Sequence, residues 1–179
     1  MLTVNRTQPR PAQLVLGIIA SNTEWLAAAE AVLAQQFGPI ALKSAIIPFD
    51  FTDYYEKEMG SGLLRRWVCC QGLVEPEKLA RLKLQTCELE HQFRTENHRR
   101  RVNLDPGLLS LHNLVLASTK EFGHRIYLGS GIYAEVTLIY QNGRFQPLEW
   151  TYPDYRTPVC LDFLAAGRKL LTLSLAADR

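Results

Sequence analysis

Two periodicities divide this chain into segments. The run "LVLGIIA" (14–20) contains no polar position and reads as a strand buried on both faces. Behind it Trp25, Ala29, Val32, Leu33 and Phe37 recur at helical spacing. Ser21 and Glu24 form an S-x-x-E capping box at the start of that helix, and Gly38-Pro39 closes it. The segment "IALKSAIIPFDF" follows as a second strand, with Ile47, Phe49 and Phe51 on one face and Asp50 and Thr52 on the other. "RRWVCCQGLV" is the third strand. Between these two, Asp53 is placed to cap a short helical turn, with Glu56 reaching back and Gly60 ending it.

Pro76 suits a first helical position, and Leu79, Leu82, Thr86, Leu89 and Phe93 form one apolar stripe. "RRVNLD" predicts a fourth strand. Asp105 and Pro106 read as the cap and first turn of a helix or long turn through "GLLSLHNLVLASTK", with "NLVLA" as a strand the alternative. From His124 to Trp150, turns at Gly129-Ser130-Gly131 and Asn142-Gly143 separate three alternating segments, which predicts two successive hairpins. Pro158 then opens a C-terminal helix that buries Phe163, Leu164, Leu170 and Leu171. The expected fold class is α+β: a ferredoxin-like βαββαβ core followed by an antiparallel hairpin meander and a C-terminal helix. A single domain is expected over 14–179, behind a flexible N-terminal arm of residues 1–13.

The first hairpin brings specific side chains together. A three-residue Gly-Ser-Gly loop sets Leu128 opposite Ile132, Tyr127 opposite Tyr133 and Arg125 opposite Glu135. Arg125, Tyr127, Tyr133 and Glu135 then share one face. On a solvated face the ion pair contributes only about 0.2–1 kcal/mol. In a cleft, Arg125 becomes a fork for carboxylate or phosphate and the tyrosines a stacking platform.

Composition narrows the classes of partner. With 47% hydrophobic and 21% charged residues and a net charge of +2, the chain carries no global field that would draw in nucleic acid or anionic lipid. Cys69, Cys70, Cys87 and Cys160 form no C-x-x-C pair, which argues against a zinc site and for a reduced, cytoplasmic protein. No apolar run approaches the ~20 residues that cross a bilayer, so no membrane partner is expected. Asp50, Asp53 and Glu58, joined by Asp105 or Asp154, have the oxygen ligands a hard cation takes. Capping and solvated helix roles account for all of these but Asp50, and no metal is assigned.

"FDFTDYYEKEMG", "NLDPG", "LASTK", "HRIYL", "GIYAEVTLIY" and "TYPDY" occur together between residues 14 and 155. In this combination the chain resembles a prokaryotic family known only as a domain of unknown function of about this length. That family usually has an aromatic residue after "DPG", where this chain has Leu108. The resemblance implies a shared fold, and some relatives carry a GTP-binding label. The residues do not supply the usual means of binding GTP: there is no G-x-x-x-x-G-K-[ST] loop and no G-x-G-x-x-G turn.

Two functional readings follow. In the first, the protein binds or processes a phosphorylated small molecule, a nucleotide being one such ligand, in a pocket of mixed charge. Asp50, Asp105 and His124 would supply acid–base chemistry there, while Arg101, Asn103, Lys120, Arg125, Tyr127 and Glu135 meet the ligand. In the second, a non-catalytic module binds RNA or another protein through its sheet and the basic run "HRRR" (98–101). The first requires acids and bases converging in one pocket; the second requires an open basic surface with exposed aromatics.

Overall fold

The structure, a computed structural model, describes residues 7–177, so the first six residues of the expected N-terminal arm lie outside the described residues. Among these, nine strands form one antiparallel sheet and four α-helices cover it. The elements run β1 (Ala12–Ala20), α1 (Thr23–Phe37), β2 (Ile40–Lys43), β3 (Ile47–Pro48), α2 (Glu56–Met59), β4 (Leu64–Val74) and α3 (Leu79–His91). They continue as β5 (Val102–Leu109), β6 (Asn113–Ser118), β7 (Ile126–Gly129), β8 (Ile132–Gln141), β9 (Arg144–Pro147) and α4 (Pro158–Ala177). The sheet order is β2-β4-β1-β5-β6-β8-β7, with β3 also pairing β4 and β9 also pairing β8.

β1 is central, and its apolar run is explained by helices on both sides. Leu14, Leu16 and Ile18 pack with Leu26, Ala29 and Leu33 of α1 and with Leu79, Leu82 and Leu89 of α3. Val15 faces the opposite layer, with Trp67, Leu109 and the α4 residues Cys160, Phe163 and Leu164. The adjacent Cys69 and Cys70 divide between these two cores, as strand alternation requires, and all four cysteines are free. Gly167 of α4 is held close to the sheet, since a Cβ there would stand 3.0 Å from Leu109 Cδ2.

Several local expectations need correction. Asn22, not Ser21, caps α1, its side chain accepting from Trp25 N at 2.9 Å. The second strand is interrupted: Ser44 Oγ accepts from Trp67 N at 3.0 Å and takes over one rung of the ladder between β2 and β3. Asp53 makes no side-chain cap; α2 follows Tyr55, which offers none, although Gly60 does end the turn at φ 85°. The Gly-Ser-Gly hairpin uses a two-residue Ser130-Gly131 loop, with Gly129 opposite Ile132 and Leu128 bulged out of register. Tyr127 still faces Tyr133, so the bulge absorbs the extra residue. In α4, Phe163, Leu164 and Leu171 are buried and Leu170 is half-buried.

Asp105 and Pro106 begin no helix; both lie inside β5. Leu104 donates its N–H away from β1, to Glu90, so Pro106 two residues on has its ring nitrogen toward that same edge. No ladder partner stands there, and a residue without an N–H costs nothing.

Candidate functional site

The sheet parts where β5 and β6 separate. β6 pairs with β5 only through Gly107↔Leu116, Leu108↔Val115 and Leu109↔Leu114, then stays with β8 as far as Ser118↔Tyr133. The outer edge of β5 from Val102 to Pro106 is therefore without a strand. At Leu104 the outward backbone N–H and C=O are taken up by α3, whose buried face carries Lys83 and Glu90 two turns apart. Glu90 Oε1 accepts from Leu104 N at 2.7 Å, and Lys83 Nζ donates to Leu104 O at 2.9 Å. Two charged side chains thus replace a strand, and beside them opens a cavity of about 500 Å³.

The floor of the cavity is Arg65 of β4. Its side chain is 1% exposed, lies 4.9 Å from the Trp67 ring centroid and 5.1 Å from that of Tyr155, and faces two carboxylates. Nε stands 3.0 Å from Asp154 Oδ2 and Nη1 stands 3.6 Å from Asp105 Oδ2. Neither contact forms a hydrogen bond, so both are Coulombic; among the described residues Arg65 Nε and Nη1, Trp67 Nε1 and Tyr155 OH have no hydrogen-bond partner. Gly17 of β1 permits this packing, because a Cβ there would stand 2.7 Å from Arg65 Nη2 and 2.8 Å from Tyr155 OH.

Asp105 joins the floor to the α3 wall. It accepts from Asn103 Nδ2 at 2.8 Å and from Lys83 Nζ at 3.3 Å. Burial works against the charge on Lys83, but Asp105 and Glu90 outweigh it and hold the ammonium above its usual range. Burial raises the carboxyl of Glu90, and it raises that of Asp154 despite Arg65 alongside. Arg100 lines the same wall and is gripped by Glu58 through Nε at 2.8 Å and Nη2 at 2.7 Å.

Glu135 forms the opposite wall. It is buried, and Oε2 receives Arg125 Nε at 2.8 Å and meets His124 Nε2 at 3.1 Å. Thr137 Oγ1 donates to Oε1 at 3.1 Å. His124 stacks on Trp150 with ring centroids 5.0 Å apart, and Arg125 donates to the Tyr152 hydroxyl. The roof is the segment after β3, where Phe49, Phe51, Thr52, Tyr54 and Tyr55 line the cavity and Tyr54 lies 3.7 Å from Lys120 Nζ. Among the described residues, no group of three or more His, Cys, Asp or Glu side chains is arranged to hold a metal.

Of the residues singled out in the sequence, Asp105, Asn103, Lys120 and Glu135 line this cavity. His124 and Arg125 act behind the wall, through Glu135. Asp50 is exposed and outside the lining, because the chain turns after Phe49 and the aromatic residues and Thr52 of this segment face inward instead. Arg101 instead lies 4.5 Å from the Trp25 ring centroid, and Tyr127 stacks against Tyr133 with its hydroxyl accepting from Gly131 N.

The family described as Domain of unknown function (DUF4416) matches residues 10–170. The chain belongs to this family. Every residue lining the cavity, from Ile19 to Asp154, falls inside the matched span. No curated protein and no solved structure matches the chain.

Arg65, Lys83 and Glu90 are absent from the sequence-based candidates, while Asp154 entered only as a cation ligand and Arg100 only within the basic run 98–101. Lys83 and Glu90 did leave a trace, since they interrupt the buried face of α3 at positions where burial predicts apolar residues. Arg65 left none, because a charged residue at a strand start is ordinary until tertiary packing buries it.

Proposed function

We propose that the cavity binds a small phosphorylated molecule, its anionic group facing the Arg65 floor and its body lying against Phe51, Tyr54 and Tyr55. The observation that carries this reading is Arg65: a buried guanidinium with two N–H groups lacking acceptors leaves hydrogen-bonding capacity for an oxyanion. Lys83, Arg100 and Lys120 line the same space, whose volume suits a small ligand. Arg65, Lys83 and Lys120 are formally balanced by Asp105, Asp154 and Glu90, but burial eases protonation of the last two, so an entering anion can be matched by proton uptake. Asp105 and Glu135 are the carboxylates available for acid–base work on such a ligand.

The 98–101 run supports this reading over an RNA- or protein-binding module. Arg100 is held by Glu58 and Arg101 lies on Trp25, so the run offers no open row of cations. We also read the first half of the chain as ferredoxin-like, on the strength of the order β2-β4-β1-β5 and the packing of α1 and α3 into one core. Three buried free thiols fit a reducing, cytoplasmic setting.

The test is thermal unfolding of the full chain against sugar phosphates, nucleotides and simple phosphate esters, each paired with its dephosphorylated alcohol. A phosphate ester at a hundred times its Kd should stabilise the fold by about 2.7 kcal/mol while the alcohol does nothing. Equal stabilisation by both members of a pair, or by neither across the panel, overturns the reading.

A further inference from the structure

We propose that residues 50–58 form a strap that lifts to widen the way into the cavity, held down by Glu58 on Arg100 and by Tyr54 on Lys120. This rests on the reading of the cavity as a ligand site and adds how access to it is controlled. The strap is anchored at both ends and thinly held between them. Phe49 and Met59 are buried with Ile19 and Leu63 in a small core of their own, separate from the two main cores. Between these anchors the only regular structure is the four-residue α2, which has no side-chain cap. A single helical turn contributes little stability by itself. Asp50, Thr52, Asp53, Tyr54, Glu56 and Lys57 are exposed, and within the strap only Phe51 and Tyr55, both half-buried, lean on that small core, so lifting the segment gives up few buried contacts.

What fastens it across the cavity is polar and specific. Glu58 receives two N–H donors from Arg100, and Arg100 in turn reaches Asn103 Oδ1 at 3.1 Å on the cavity wall. The Tyr54 ring covers the Lys120 ammonium from the other side. Arg100 and Lys120 line the cavity whereas Glu58 does not, so Glu58 can be altered without removing a group that a ligand would meet. Past Met59, Gly60 and Gly62 at φ 85° and 71° give the chain a backbone that absorbs large rotations. Segments of this construction open and close over sites that exclude water.

The protein carries its own reporter. Cys87 of α3 lines the cavity and is half-buried, while Cys69, Cys70 and Cys160 are buried in the cores. Labelling by a dye-sized maleimide, at fixed pH and without ligand, therefore reads how often the cavity is open. Glu58→Gln and Tyr54→Ala should each speed labelling of Cys87 by about two- to fivefold, the effect of losing one partly exposed ion pair or cation–π contact. Cys87→Ser should abolish that fast phase. Labelling of Cys87 at the wild-type rate in both variants overturns the strap. So does faster labelling spread over all four cysteines, which reports general loosening. Because no ligand is present, failure here leaves the phosphate-ester reading standing, and failure of that screen leaves the strap standing.

Discussion

Arg65 Nε lies 3.0 Å from Asp154 Oδ2, which ties the sheet's second strand from the edge to the turn that precedes the C-terminal helix. Both side chains are buried, and the guanidinium sits among the Trp67 and Tyr155 rings. Two layers of the molecule are thus joined through a charge pair at the floor of the cavity.

Breaking that pair should cost more than any surface substitution. Asp154→Ala leaves Arg65 with Asp105 alone at 3.6 Å and should lower stability by about 3–5 kcal/mol in urea unfolding, the scale of an uncompensated buried charge. Arg65→Met combined with Asp154→Leu should recover part of the loss. A double variant no more stable than the sum of the two single effects would show that the pair is not coupled.

Gly17→Ala should be destabilising for reasons unrelated to backbone freedom. The added methyl would sit within 2.8 Å of both Arg65 Nη2 and the Tyr155 hydroxyl, and overpacking of this kind costs about 1–3 kcal/mol. Tyr155→Phe in the same background should relieve part of it, which thermal unfolding of the two variants measures.

The two helix starts predict opposite outcomes for similar substitutions. Asn22→Ala removes the acceptor for Trp25 N and should cost about 0.5–2 kcal/mol. Asp53→Ala removes no cap and should change stability by less than about 0.5 kcal/mol. A large loss at Asp53 would mean that its carboxylate does hold the strap's short helix.

Acid should release the Glu58 latch. The hydrogen bonds from Arg100 hold the Glu58 carboxyl below its ordinary value of 4.5, so the ionised form favours the folded state. Its contribution is present above about pH 4.5 and is lost as pH falls through the lowered value. With the side chain partly exposed, the effect is small, under about 1 kcal/mol. The difference in stability between wild type and Glu58→Gln should therefore shrink between pH 6 and pH 3, and a constant difference would rule out the ion pair as its source.

Much of the architecture was written into local pattern. The unbroken apolar run of β1 marked a strand covered on both sides, the α3 stripe marked a buried helix face, and Asn142-Gly143 marked a hairpin, since each depends on neighbours a few residues away. Arg125 and Glu135 were legible as a pair for the same reason: a turn fixes register, and register survived even the bulge at Leu128. Tertiary structure alone decided the site. Whether Asp105 began a helix or ran through a strand depended on β1 pairing beside it and on α3 supplying Glu90 and Lys83 to its free edge. Whether Asp50 or the aromatic residues around it faced inward depended on how the chain turned after Phe49. Arg65, Lys83 and Asp154 acquired their roles by meeting across separations of 18 to 89 residues, and no local spacing records an encounter of that kind. Burial converts ordinary surface charges into a coupled network, and burial is a property of the assembled layers.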